Sequence, residues 1–197
     1  MAGLLLQIAP HYSLADALQN LHRLDFTLWK GLVSTAASGL EVIPAPPAPF
    51  DPGTVTRNLS HLTRFWRSQY DLTVLDLGHG FTPLVAGLVE WIDVLAVVTT
   101  NELPALRQAK VLVQGLTQRN YGTRRVRLVI NRMPKRSDIQ VPELERIMGF
   151  PIQTTLPNDY HSLAEAYAQP KLLESTQLGF GLAKLACEND SPIGDFK

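Results

Sequence analysis

The sequence predicts an α/β protein with a mostly parallel β-sheet carrying helices on both faces. Two observations lead there. Short β-branched runs alternate with helical patterns along the chain, joined by short connections. Several of those runs are apolar at consecutive positions rather than at every second one, which suits strands covered on both sides.

The elements follow in order. Ser13 with Asp16 three residues on has capping-box spacing and opens a helix over SLADALQN. Leu40–Pro44 (LEVIP) is the first β-branched run. The biased stretch Pro44–Pro52 (PAPPAPFDP) reads as a stiff extended connector, because proline removes backbone donors and holds the chain near polyproline geometry. Thr54 or Thr56 starts the next helix, TVTRNLSHLTRFWRSQ, where Val55, Leu59, Leu62 and Phe65 or Trp66 make one apolar stripe. A strand over Leu72–Leu77 (LTVLDL) leads to a helix over Pro83–Trp91. The run Val94–Thr100 (VLAVVTT) precedes a helix with Leu106, Ala109, Val113 and Leu116 on one face. Val126–Asn131 (VRLVIN), a helix over Pro142–Met148, and Ile152–Leu156 (IQTTL) continue the alternation, and helices over Ser162–Gln169 and Gln177–Cys187 close it.

Composition bounds the function. At 197 residues, with 45% hydrophobic and 18% charged residues, the chain has the make-up of a globular protein and not of a disordered or collagenous one. Residues 1–189 read as one domain and 190–197 as a flexible tail. Eighteen basic residues balance eighteen acidic ones, which argues against whole-surface binding to nucleic acid or anionic lipid. No apolar run approaches the roughly 18 residues of a spanning helix, and MAGLLLQIAPH lacks the basic start of a signal peptide. A single cysteine, Cys187, cannot form an internal disulfide, so a reducing, cytoplasmic setting is expected.

Open parallel sheets bind ligands at the carboxyl ends of their strands, so the chemistry is sought there. In YDLTVLDLGHG (Tyr70–Gly80), Asp76 stands at a strand end before a glycine-flanked turn. A carboxylate so placed can hold Mg²⁺, a hard cation that prefers oxygen. Gly78 and Gly80 would let the loop approach a phosphate; the alternative is an aspartate that caps the next helix. In VRLVINRMPKR, Asn131 and Arg132 end a strand, and the asparagine amide offers the donor and acceptor that an adenine edge requires. A turn-satisfying asparagine is the competing reading. Pro157 and Asn158 end the last strand, where proline could wall a base. Thr99, Thr100 and Glu102 close the middle strand and face either nucleotide, a second subunit, or simply a helix N-terminus.

The order of these elements resembles the MinD/ParA group of deviant-Walker ATPases, in particular its CpaE/TadZ pilus-assembly branch. The resemblance runs from about Tyr12 onward and is carried by PHYSLADALQNLHRLD, SGLEVIPAP, YDLTVLDLG, DVLAVVTTNELPALRQAK, RLVINR and TTLPNDYHSLAEA. It implies a P-loop NTPase-like fold and ATP or ADP with Mg²⁺ as cofactors. Asp76 becomes the Walker-B-like, metal-related acid, and Asn131, Arg132, Pro157 and Asn158 become base contacts. It further implies a homodimer, protein partners in the Tad/Flp pilus-assembly machinery, and a cytoplasmic place at the inner face of the membrane or the cell pole. Any membrane association would come through those partners.

The departure is as informative as the match. No G-x-x-x-x-G-K-[ST] occurs anywhere in the chain, and GLLLQIAP aligns beyond the segment that carries this loop in the family. The expectation is a domain truncated at its N-terminus, or a naturally degenerate one, that does not hydrolyse ATP as it stands. That loop supplies backbone N–H donors, a helix N-terminus and a lysine charge around the phosphates. Two other readings stand beside it: a non-catalytic interaction scaffold of the same fold, and a MinD-like positioning ATPase or cobyrinate-synthase-like relative.

Weaker signals point elsewhere without force. The five histidines, His11, His22, His61, His79 and His161, show no metal-ligand spacing. Arg124-Arg125 and Lys135-Arg136 flank the VRLVINR strand and read as a solvated edge, so nucleic acid is not expected as a partner. The last helix carries Lys184 as its one cation, unlike a basic membrane anchor. Trp29, Phe81 and Trp91 are candidates for either core or a partner face.

Overall fold

The computed structural model describes residues 6–46, 52–119, 121–136, 139–168, 173 and 175–189. The tail at 190–197 and part of the 44–52 connector lie outside the described residues. Two compact units emerge, one of Met1–Trp91 with Tyr167–Lys171 and one of Ile92–Ala166 with Leu172–Lys197.

The first unit is mainly helical. Helix α1 (Leu14–Gln19) opens as its sequence requires, with the Asp16 carboxylate accepting the Ser13 N–H at 2.8 Å and its hydroxyl at 2.9 Å. That backbone N–H is the main reason the Asp16 carboxyl titrates below the usual range. Helix α2 (Phe26–Leu32) has no counterpart among the sequence-derived elements. Its start is readable in retrospect, because Asp25 accepts the Leu28 N–H at 2.8 Å as an N-cap. Helix α3 (Pro52–Gln69) begins two residues ahead of Thr54, with proline in its first turn. Trp29 of α2 is 3% exposed and lies 5.6 Å from the Phe65 ring and 6.2 Å from Trp66, which assigns it to the core and not to a partner face. Helix α4 (Pro83–Leu88) is capped by Thr82, whose Oγ1 accepts the Val85 N–H at 3.2 Å, and a 3₁₀ turn over Val89–Trp91 extends it.

Two predicted strands differ here. LEVIP does not join a parallel sheet. Only Glu41–Val42 (β2) is paired, antiparallel to Ser34–Thr35 (β1), because the turn through Gly39, at φ +85°, folds the chain back on itself. LTVLDL forms no strand at all. Among the described residues nothing pairs with it, and Leu72 and Val74 are 72% and 84% exposed. A strand is defined by its partner's hydrogen bonds, so β-propensity alone cannot make one.

The second unit is a three-stranded parallel sheet, β3 (Leu95–Thr99), β4 (Val126–Met133) and β5 (Ile152–Pro157), adjacent in chain order. Helix α5 (Leu103–Gln118) connects the first pair and α6 (Val141–Met148) the second; α7 (Tyr160–Ala168) and α8 (Gln177–Asn189) follow. Leu128, Val129 and Ile130 of β4 are fully buried at three consecutive positions, so the central strand is covered on both faces as its apolar run predicts. On α5 the predicted stripe of Leu106, Ala109, Val113 and Leu116 is the buried one, and each such leucine or valine stabilises by about 1.5–3 kcal/mol. Strand β3 departs from its reading: Leu95, Val97 and Thr99 are buried while Val98 is 57% exposed, the alternation of a strand with one open face. Helix α6 stops at Gly149, which sits at φ +66° and returns its N–H to the Glu145 carbonyl at 2.7 Å. Among the described residues no helix is long and apolar enough to cross a membrane.

Candidate functional site

The carboxyl end of β4 is irregular in a way that matters for chemistry. Its register with β5 shifts between Ile130 and Met133, and within that shift Arg132 adopts φ +55°. A non-glycine residue in the left-handed region costs about 1–2 kcal/mol, so the surroundings must hold it there. Part of the hold is local. Asn131 Oδ1 accepts the Arg132 N–H at 2.9 Å, closing a tight turn on itself. Beyond the bulge Met133 pairs with Pro157, and the Asn158 N–H donates to the Met133 carbonyl at 3.0 Å.

Asn131, Arg132, Pro157 and Asn158 are therefore brought together at neighbouring strand ends. Asn131 and Pro157 are half-buried, whereas Arg132 and Asn158 are exposed. With one lone pair of Oδ1 engaged by its own chain, Asn131 keeps a second lone pair and two amide hydrogens. That donor–acceptor set, beside a proline ring, fits the edge and face of a planar base. Asp159 next door accepts the Ser162 N–H at 3.3 Å and so serves the start of α7.

Asp76 belongs to the other unit. It is exposed, and it does not end a strand, because the LTVLDL ladder is absent. Its Oδ1 accepts the Gly78 N–H at 3.0 Å, and Gly78 and Gly80 take φ +70° and +74°, values that account for glycine at both. Among the described residues no three His, Cys, Asp or Glu side chains gather to hold a metal. Mg²⁺ on Asp76 would thus take its remaining ligands from phosphate and water, the usual manner for that ion. Thr99 is buried, and Glu102 stands at the N-cap position of α5 with its acid near the helix start.

Two features escaped the sequence reading. One is a polar chain in the first unit: Trp29 Nε1 donates to Tyr70 Oη, Tyr70 donates to Glu41, and Lys30 pairs with the other Glu41 oxygen. Burial, then the hydrogen bond to Glu41, push the Tyr70 hydroxyl up to about 12. Burial would raise the Glu41 carboxyl, yet the bonds from Lys30 and Tyr70 outweigh it and hold it below the usual range. These residues are distant in sequence and form no motif. The other is a cavity at the amino ends of β4 and β5, which only the Arg124-Arg125 pair foreshadows.

No protein-family model matches the sequence, and no curated protein matches it. Solved structures do. A ParA family ATPase from Chlorobium tepidum TLS superposes with a TM-score of 0.80 at 26% identity, covering 91% of this chain and 76% of that one. The fold is that of the ParA and MinD ATPases. The MinC:MinD cell division protein complex of Aquifex aeolicus gives a TM-score of 0.76 at 17% identity, over 99% of this chain and 80% of that one. The cell division ATPase MinD of Pyrococcus furiosus gives 0.72 at 18% identity, over 95% and 79%. Within this P-loop NTPase-like fold, the 197 residues differ from the group's signature in containing no G-x-x-x-x-G-K-[ST].

Proposed function

We propose that this protein is a CpaE/TadZ-like member of the MinD/ParA group that positions Tad/Flp pilus assembly, and that these 197 residues bind the base side of a nucleotide without hydrolysing it. The observation that carries the reading is the meeting of Asn131, Arg132, Pro157 and Asn158 at the β4 and β5 ends, within a fold like that of the ParA and MinD ATPases. Phosphoryl transfer depends almost wholly on positioning and charge stabilisation. Among these residues Asp76, with Gly78 and Gly80 after it, is what is read for the phosphate side, and no G-x-x-x-x-G-K-[ST] loop to cradle phosphates is in the sequence. Function then rests on partner surfaces. The likeness to a MinC:MinD cell division protein complex supports protein partners, and the resemblance in sequence adds a dimer acting in the cytoplasm at the inner membrane face or cell pole. A MinD-like positioning role is the second reading, favoured by the likeness to two MinD structures.

The test is a fluorescent-ATP titration with and without Mg²⁺, ADP competing, alongside a phosphate-release assay. We expect weak binding, near about 1 mM, that Mg²⁺ does not tighten, and no phosphate release. Asn131→Ala should weaken it about fivefold, the worth of one hydrogen bond. Asp76→Ala should change nothing. Phosphate release that Asp76→Ala abolishes would overturn the non-hydrolysing assignment, and equal affinities with and without the Asn131 amide would remove the base site.

A further inference from the structure

The cavity at the amino ends of β4 and β5 holds about 410 Å³, a volume in the range of ligand pockets. Its accessible apolar surface comes from Phe150, Pro151 and Ile152, which lie over the buried Val126 and Leu128 at the starts of two adjacent parallel strands. Thr123, Arg124, Arg127 and Gln153 complete the lining, and no carboxylate is among these described residues. Arg127 is fixed in place, its guanidinium donating to the carbonyls of Arg124 and Val126. Arg125 points away, stacked 4.3 Å over the Tyr121 ring and bonded to the Ile92 carbonyl, so two cations serve the cavity. Arg127 to Asn131 is four residues along β4, about 13 Å of strand, so the cavity is separate from the base site.

A cavity with an apolar wall and two guanidinium groups among its lining residues is complementary to an anion attached to an apolar body. We propose that this cavity binds an acidic, leucine-type segment of a partner protein, with the apolar side chain against the wall and the neighbouring carboxylates on Arg124 and Arg127. Charge complementarity selects the anion, since arginine pairs with carboxylate through two parallel hydrogen bonds. The apolar wall selects peptide over nucleic acid. A phosphodiester chain seeks a stripe of cations and gains little from a wall of phenylalanine, proline and isoleucine, and the chain's formal net charge is zero.

The experiment is a fluorescence-anisotropy titration of the full chain with a labelled peptide of alternating leucine and aspartate, against the same peptide with asparagine for aspartate. Saturable binding of the acidic peptide, at least about tenfold tighter than the asparagine peptide, is expected. Arg124→Ala should weaken it about tenfold, and salt should weaken it too. Because Arg124 is exposed, its removal leaves the core intact; a matched melting curve verifies this. Phe150→Ala should weaken the peptide while leaving any nucleotide binding unchanged. Equal binding of both peptides, or no effect of Arg124→Ala, would overturn the proposal. So would a DNA duplex that displaces the peptide and depends on Arg124, which would reassign the surface to nucleic acid.

Discussion

Tyr70→Phe isolates the polar chain that holds the first unit together. The substitution keeps the ring, including its contact with the Lys30 ammonium 5.8 Å from the centroid, and deletes one oxygen. Two hydrogen bonds go with it: the one donated to Glu41 and the one accepted from Trp29 Nε1. A hydrogen bond to a charged group contributes about 1.5–3 kcal/mol, and a buried donor left without a partner costs about 1–3 kcal/mol. Trp29 is in the core, so its N–H cannot turn to water, whereas Glu41 keeps Lys30 as a partner. The expected loss is therefore about 2.5 kcal/mol, the lower end of the sum. All three tryptophans, Trp29, Trp66 and Trp91, lie in the first unit, so a melt followed by their fluorescence reads that unit. Tm should fall by at least about 4 °C. Lys30→Met should cost much less, about 0.5 kcal/mol, because the Lys30 side chain is 40% exposed and solvent screens its charge. A Tyr70→Phe melt that superimposes on the wild type, or a larger loss from Lys30→Met, would refute the argument that the hydroxyl is the keystone of this chain.

The same hydroxyl sets a pH dependence. Its folded pKa of about 12 lies above the ordinary value of 10.0, so the native state keeps a proton that the unfolded state gives up. Its contribution is intact below the ordinary value and is lost as pH rises from there towards the folded value; urea midpoints should drop across that alkaline window, and Tyr70→Phe should flatten the drop. At the acid end Glu41, held low, contributes above the usual carboxylate range and loses that contribution as pH falls through its depressed folded value. Arg132→Gly should raise stability by about 1 kcal/mol, since glycine adopts φ +55° freely, and it should be visible as a higher Tm.

Most of the second unit is legible in the sequence because its signals are local and agree with one another. The α5 stripe from Leu106 to Leu116 is buried at the positions its spacing names, and VRLVIN is apolar where β4 is covered on both sides. The failures share a cause. Whether LTVLDL becomes a strand depends on hydrogen bonds from another segment, and LEVIP pairs with Ser34–Thr35 because a turn brings those residues back, neither of which periodicity contains. Helix α2 is hidden by its shortness. Seven residues give fewer than two turns of pattern, and only Asp25 marks its start. The Trp29–Tyr70–Glu41–Lys30 chain joins residues up to 41 apart, so no window of sequence shows it.

The candidate site divides along the same line. The NR dipeptide at Asn131–Arg132 is visible as a motif, but what makes it a candidate site is the register shift that puts Met133 beside Pro157 and within which Arg132 takes φ +55°. A regular β4 would continue the ladder and leave no turn for Asn131 to close. Strain at a solvent-exposed arginine has no packing benefit to offset it, since glycine there would relieve the backbone at little loss of burial. The arginine side chain must then either be neutral to selection or do something glycine cannot, and a guanidinium at the mouth of the proposed base site suits the second. The Arg132→Gly variant separates these. Higher stability with unchanged nucleotide affinity assigns the arginine to chance. Higher stability with weaker affinity means that the backbone strain at the end of β4 is retained because that residue binds.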